Sequence, residues 1–403
     1  MLAVAGVSSM GIVKGLIGIN ARILSTLIVI LSVVLLLRGL NWGYITMPNE
    51  EVGIIFLYSI VSLILALFSR FSLMQNGYGF VYQAAAFMQI FLLWNIDFEN
   101  DMDYYVEIGF WFCGVVCVIS LLLLIKNTGG SLFVNSFESE DGEYLFNRST
   151  IGSIGFKSFV IELALKPNSK VKAQFRRVFL LVSLVVIIAS TRRGIYLATI
   201  ASCLLHYRNC RSMDKGVDVD RMLKKVVLGA ICIAAFLLLY SRSSFMQDTL
   251  GHAGEMLVNG IRTFLGIDNS DMAAAMRTSK SEYVIDQFLY HSTPKQVLLG
   301  RGYMTTWVDM PFIQAFWDLG LVGGITYIVI QFAIPLKYML KKTDSQGMRA
   351  AQYLTFMTIF DGIASGYPYG RFFETVLLIT IDTAHSQGND NPTQMQHIAG
   401  GRL

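Results

Sequence analysis

The run Val178-Phe-Leu-Leu-Val-Ser-Leu-Val-Val-Ile-Ile-Ala-Ser-Thr-Arg-Arg-Gly-Ile-Tyr-Leu-Ala-Thr-Ile-Ala-Ser-Cys-Leu-Leu205 decides the fold. Its two apolar stretches, 178–189 and 195–205, flank Ser190-Thr191-Arg192-Arg193-Gly194. Each is shorter than the ~20 residues of a full helical crossing of a bilayer. The pattern predicts two short helices that meet at the arginine pair, either dipping into the membrane from one side or crossing it with a kink. Permanent charges at that depth are costly and by default functional. A guanidinium presents a planar fork that matches phosphate oxygens, and Gly194 is expected to let another backbone approach closely. The plainer alternative is that both arginines snorkel to lipid headgroups. Adjacent helical residues point ~100° apart, so the two arginines are not expected to share one task.

Working outward, the chain of 403 residues is 54% hydrophobic and 15% charged, with mean hydropathy +0.53. Soluble domains carry about 25% charged residues, so the composition points to a membrane protein. Continuous apolarity and the absence of alternating ten-residue strands favour helices over a barrel. Candidate spans fall at 23–40, 52–69, 76–95, 105–125, 149–165, 177–190, 194–206, 225–240, 312–334, 351–365 and 371–384. The expected fold is an all-α, polytopic bundle of about 10–12 transmembrane helices. No removable signal peptide is expected at the start, because the first twenty residues lack a small-residue cleavage site. The net charge of +4 gives no argument for a nucleic-acid partner. Cys113, Cys117, Cys203, Cys210 and Cys232 lie in apolar or basic stretches, which gives no disulfide framework. The spacing of Cys113 and Cys117 suits packing within a helix. No metal-ligand spacing, nucleotide-binding loop or other cofactor signature is present.

Basic residues cluster at Lys166–Arg177, at His206–Arg211 with Lys224 and Lys225, and at Lys337, Lys341 and Lys342. The positive-inside rule puts these three loops in the cytoplasm. The arginine pair, the polar segment 241–309 and Gly366-Tyr-Pro-Tyr-Gly-Arg371 then fall outside. Two acidic loops, one at Asp97–Asp103 and one at Glu138–Glu143, cannot both lie outside unless 149–165 fails to span. That segment carries Lys157 and Glu162, so an interfacial placement is an alternative. The resulting organisation is an N-terminal membrane region, 1–240, an outer loop, 241–311, C-terminal membrane helices, 312–384, and a polar tail, 385–403, expected to be disordered.

Within the outer segment, six basic residues face seven carboxylates, so it is no general polyanion trap. Apolar residues in 256–265 have helix spacing for a face lying on the membrane. A second helix is expected over Ser281–Tyr290, with Tyr283, Val284, Phe288 and Leu289 facing inward. Gly300-Arg301-Gly302 reads as a turn, after which Pro311–Gly324 re-enters the membrane. Asp318 near the top of that helix needs a partner and reads as an ion-pair or capping residue before a catalytic one. His252 and His291 are lone loop histidines and read as surface residues.

The order of these features resembles the O-antigen ligase/polymerase family, which includes the Wzy-type polymerases. The residues that carry the resemblance are Thr191-Arg192-Arg193-Gly194, then Arg277 leading a helix of the outer loop, then Leu299-Gly-Arg-Gly302, then Asp318-Leu-Gly-Leu-Val-Gly323. Together they cover roughly 176–335. Many members have His-Asn shortly after the Gly-x-Gly turn, where this chain has Val308-Asp309-Met310-Pro311. That departure leans towards polymerase rather than ligase. The resemblance implies a type C glycosyltransferase architecture with a large helical periplasmic loop in a bacterial inner membrane. It implies metal-independent, inverting glycosyl transfer from an undecaprenyl-diphosphate-linked glycan, with no cofactor and with a chain-length regulator as a conceivable partner. On this expectation Arg192, Arg193, Arg277 and Arg301 bind the diphosphate, whose developing charge needs fixed cations. Glu282 or Asp309 is then the base for the acceptor hydroxyl. Tyr283, Tyr303, Trp307 and Trp317 are candidates to stack on sugars, though interfacial aromatics also serve as anchors. A ligase acting on lipid A-core is the nearest alternative reading. A flippase is a further one, disfavoured by the absence of an internal repeat.

Overall fold

The computed structural model describes residues 21–38, 49–68, 77–95, 102–127, 137–138, 144–146, 148–190, 192–211, 272–303, 305, 306, 308, 310–343, 345–364, 369 and 372–390. These residues are almost entirely helical. In chain order the helices are α1 (Ala21–Arg38), α2 (Glu50–Phe68), α3 (Gly77–Trp94), α4 (Met102–Asn127), α5 (Arg148–Ala164), α6 (Lys170–Ser190) and α7 (Arg193–Arg211). Next come α8 (Met272–Tyr290), α9 (Pro294–Leu299), α10 (Pro311–Ile328), a π segment (Val329–Ala333), α11 (Ile334–Met339), α12 (Gln346–Ala364) and α13 (Phe373–Asp390). One short antiparallel pair, β1 (Phe137–Glu138) with β2 (Tyr144–Phe146), lies between α4 and α5. The expected helix over 225–240, the amphipathic stretch 256–265 and the tail from 391 lie outside the described residues, whereas residues 385–390, expected to begin a disordered tail, continue α13.

Among the described residues, three helical runs are long and apolar enough to cross a membrane: Tyr104–Lys126, Lys170–Ser190 and Pro311–Met339. The second corrects the expectation of two short helices at the arginine pair. The helix absorbs the basic residues Lys170–Arg177, so the apolar run 178–189 is only its distal part. The partner α7 likewise continues through the basic residues to Arg211.

Polar contacts show how the helices alternate between two ends of the bundle. At one end the backbone N–H of Lys166 donates to Gln346 Oε1 at 2.8 Å, and Arg208 Nη2 donates to the Leu340 carbonyl at 2.7 Å. Lys337 reaches Glu51 at 2.6 Å and Lys172 reaches Glu107 at 2.5 Å. The three basic stretches of the sequence therefore converge at this basic end. The far end gathers the close of α6, the start of α7 and the close of α12, where Arg192 meets Asp361.

The two acidic loops lie almost wholly outside the described residues. The start of α4 is at the basic end, through Glu107. The end of α4 packs at the far end, with Leu124 beside Ile151 and Ala189. Then α5 returns the whole way to the basic end, antiparallel to α6. It packs inside the bundle: every residue from Ile151 to Glu162 is buried. Gly152 and Gly155 sit against Ser190, Ile195, Val186 and Ile187, and a side chain on either would collide with or crowd those neighbours. Small residues of this kind let helix backbones approach closely. The Glu162 carboxyl finds hydrogen-bond partners close by. Ser158 Oγ and Ser183 Oγ donate to the Glu162 carboxylate at 2.6 and 3.1 Å, and Arg176 Nε donates to the Glu162 carbonyl at 2.7 Å. Leaving that buried carboxyl unbonded would cost about 1–3 kcal/mol or more, and the bonds from Ser183 and Arg176 tie α5 to α6. Cys113 and Cys117 are buried packing residues.

The run from Pro311 to Met339 is interrupted twice. Gly320 has φ 67° and ψ −163°, which breaks the helix within its first third. Further on, the π turn Val329–Ala333 precedes Pro335. A proline within a helix lacks its N–H and its ring crowds the carbonyl four residues back, and the wider π turn accommodates that ring. Gln331 on the π turn packs against Gly362 of α12 and donates to the Thr358 carbonyl at 2.5 Å.

Candidate functional site

The two sequence features that suggested a site both lie at the far end of the bundle. Where α6 gives way to α7, Arg192 accepts from the backbone N–H groups of Ile195 and Tyr196 at 3.1 and 3.2 Å, so its carbonyl caps the first turn of α7. Its guanidinium reaches across to α12, with Nη2 2.8 Å from Asp361 Oδ1. The two side chains are 17% and 10% exposed, so the pair is sheltered without being sealed. Arg193, the first residue of α7, is half-buried. Gly194 departs from expectation. A Cβ there would make ordinary van der Waals contact with Phe360 Cβ at 3.9 Å and Asp361 Oδ1 at 4.0 Å, and among the described residues no backbone presses against it. Asp361 was missed as a site residue. Its signal was available in the sequence, as a lone carboxylate inside the apolar run 350–364.

The second feature is the junction between the outer loop and α10. Thr293 and Gln296 form a reciprocal capping box at the start of α9, with Pro294 in the first turn. The chain then turns through Gly300 (φ 81°) and Gly302 (φ 106°). The N–H groups of Arg301 and Gly302 donate to the carbonyls of Trp317 and Asp318 at 2.9 and 3.1 Å, beside the break at Gly320. The contact is backbone on backbone. A Cβ on Gly300 would lie 2.1 Å from the Asp318 carbonyl oxygen, and one on Gly320 would lie 2.5 Å from Gly300 N.

Side chains reinforce this clasp. Arg301 stacks 4.4 Å above the Trp317 ring, and its Nη2 donates to the carbonyls of Gln287 at 3.0 Å and His291 at 3.2 Å. It thereby caps the C-terminus of α8, a role for which a cation suits the helix dipole. Gln314, fully buried, accepts from Val308 N at 2.6 Å and donates to the Thr306 carbonyl and to Asp318 Oδ1, both at 2.8 Å. Tyr369 donates to Asp318 Oδ2 at 2.7 Å. Burial pushes the Tyr369 phenol well above its ordinary value near 10, and the Asp318 carboxylate adds to the effect, so the hydroxyl stays protonated and remains a donor.

Of the expected site residues, Tyr303 is buried, its ring 4.4 Å from that of Tyr369 in a cluster with Tyr58 and Tyr327. It stacks on protein rather than presenting an open face. Glu282 is exposed on α8. Tyr283 and Leu289 are exposed too, against the expected inward orientation, whereas Val284 and Phe288 do face inward, toward Trp317 and Ile313. The helix presents Ser281, Val284 and Phe288 to α10, a narrower stripe than the sequence suggested. Arg277 sits on α8, but its side chain lies outside the described residues, as do Thr191, Trp307 and Asp309. Among the described residues no group of three or more His, Cys, Asp or Glu side chains converges. No protein-family model matches the chain, and no curated protein matches it as a relative.

Proposed function

We propose that this chain is an integral membrane glycosyltransferase that polymerises oligosaccharide repeat units carried on a polyprenyl diphosphate such as undecaprenyl diphosphate. The observation that carries the reading is the arginine turn: a sheltered Arg192, paired with Asp361, with Arg193 next to it at the end of the bundle away from the basic loops. The three long apolar helices support a membrane location, and the alternating helices around them are read as further spans. By the positive-inside rule the basic end faces the cytoplasm, and the arginine turn and outer loop face the periplasm.

In the proposed reaction the acceptor hydroxyl oxygen attacks the anomeric carbon of the growing chain. The bond from that carbon to the diphosphate oxygen breaks, and the lipid diphosphate leaves with the electron pair. Charge grows on the leaving oxygens, and preoriented guanidiniums stabilise it. Arg192 and Arg193 supply that charge, with Arg277 as the contribution from the loop. Arg301, committed to α8 and Trp317, holds the loop in place. A carboxylate of the loop, Glu282 or Asp309, takes the hydroxyl proton. Exposed Tyr283 is available to stack on a sugar; Trp307 is a second candidate.

Deletion of the gene followed by gel separation of surface glycan tests this directly. Single repeat units on the final anchor, without a ladder, are the expected outcome. Long chains stranded on lipid diphosphate would instead indicate a ligase, and repeat units trapped in the cytoplasm would indicate a flippase. In a complementing strain, Arg193→Ala should abolish polymer while the protein still inserts, and a normal ladder would refute the clamp.

A further inference from the structure

We infer that α9 and the glycine turn after it form a re-entrant lipid anchor, with Leu298 and Leu299 among the acyl chains of the outer leaflet. The inference needs the chain to span a membrane, and it does not need the chain to be a glycosyltransferase. Backbone pairing is the first support. The break at Gly320 frees the carbonyls just before it from their helical partners. Those of Trp317 and Asp318 accept instead from the N–H groups of Arg301 and Gly302, while the Gly300 N–H donates to the Gln296 carbonyl at 2.8 Å. Three successive N–H groups of the turn are therefore paired within the protein. A turn in water can leave such groups to solvent, whereas hydrocarbon offers them no other partner.

Depth is the second. Lys337 belongs to the basic end, where it pairs with Glu51. From Lys337 back to Gly320 the helix covers roughly 25 Å at ~1.5 Å per residue, less than the ~30 Å of a hydrocarbon core. Gly320, and the Leu298 backbone pressed against it, thus stop short of the outer surface. The third support is the exposed face. No residue of α9 is buried, and Leu298 and Leu299 are 52% and 57% exposed. Across the contact, the residues following Gly320 expose Leu321, Val322, Ile325 and Ile328, the outward face of a run apolar enough to span a membrane. The lipid-facing strip of α10 therefore continues onto α9. The sequence of α9 grades the same way, from Pro294-Lys295-Gln296 to Val297-Leu298-Leu299. By contrast α8 exposes Lys280, Glu282 and Asp286, as a helix in water does. Because Arg301 of the turn caps α8 through the Gln287 and His291 carbonyls, the level of the leucines fixes the level at which α8 ends. Tyr290 at that end is exposed and suits the headgroup layer.

The test measures depth by spin labelling. The full chain, its five native cysteines replaced by alanine, carries Leu298→Cys, Leu299→Cys, Val322→Cys or Lys280→Cys, one at a time. Each variant is labelled, checked by a thermal melt and reconstituted in vesicles of phosphatidylethanolamine and phosphatidylglycerol. Power saturation then compares collisions with oxygen, which concentrates in lipid, and with a water-soluble nickel chelate. Labels at 298 and 299 should behave as the label at 322 does, with oxygen collisions dominant, and the label at 280 should show the reverse. Nickel collisions dominant at 298 and 299 would place α9 in water and overturn the inference. Labels there shielded from both reagents would overturn it too, because the rest of the loop or a second copy would then cover the leucines. Nickel access at 322 as well would overturn the spanning assignment of α10, and the inference with it. Should one leucine variant fail to fold, the other carries the same expectation. None of these outcomes depends on polymer, so the glycan gel tests the proposed activity separately.

Discussion

Two glycine-bearing turns lie at the far end of the bundle, and they do opposite things. At Gly300–Gly302 the turn is pressed against the break in α10 so tightly that a methyl group on Gly300 or Gly320 would enter another backbone. At Gly194 the same substitution would make only ordinary van der Waals contact. The surroundings differ in kind as well. The closed turn is wired by neutral donors, from Gln314 and Tyr369 to Asp318, and by a cation already committed to capping α8. The turn at Gly194 carries a sheltered ion pair, Arg192 with Asp361. A turn with no room and saturated hydrogen bonds is a fastener. The turn at Gly194 tolerates a side chain and places a charged pair beside it.

That contrast can be broken or sharpened by substitution, beginning where the effect should be greatest. Gly320→Ala places a Cβ in a positive-φ position and against the Gly300 amide, and should destabilise by at least about 3 kcal/mol. Thermal melts in detergent would register it as a large fall in melting temperature, and an unchanged melt would mean that the clasp is not closed. Gln314→Leu removes the bonds to Val308, Thr306 and Asp318 at once and leaves buried groups unpaired, a loss of about 2–3 kcal/mol. Denaturant titration checks it, and a loss under 0.5 kcal/mol would mean water takes over those groups. A double-mutant cycle on Arg192→Ala and Asp361→Ala should return a coupling of about 1–3 kcal/mol for a pair this sheltered. Additive losses would remove the pair from the comparison. Smallest of all, Gly194→Ala should change stability by no more than about 0.5 kcal/mol. A large loss in that variant would show that the space beside Gly194 is occupied.

The sequence made the helical class, the convergence of the basic stretches and the Gly-x-Gly turn readable, because each depends on local composition or on φ preferences. Hydropathy left α5 open between a span and an interfacial segment. Lys157 and Glu162 lower its average, and a window average cannot see the partners that α5 itself and α6 give the Glu162 carboxyl. It also cut α6 short, since basic residues at a helix end look like a loop when counted one at a time. The far-end site was half readable. The arginine pair stands out in any apolar run, but the role of Arg301 depends on Gln287 and His291, which only the folded turn brings within reach. Asp361 lies 169 residues from Arg192, and no spacing rule links them. Val284 and Phe288 were assigned inward correctly and Tyr283 and Leu289 were not. The buried stripe on α8 is set by the shape of α10 opposite, which periodicity does not encode.

The backbone-on-backbone clasp has a consequence for genetics. Most packing defects can be repaired by a second change, because a smaller neighbour makes room for a larger intruder. At Gly300 and Gly320 the intruding atom would meet main-chain atoms of Asp318 and Leu319 or of Leu298 and Gly300, and no substitution makes a peptide group smaller. Second-site suppressors of Gly320→Ala should therefore not arise among the contacting residues, and a selection for restored function should return reversion to glycine.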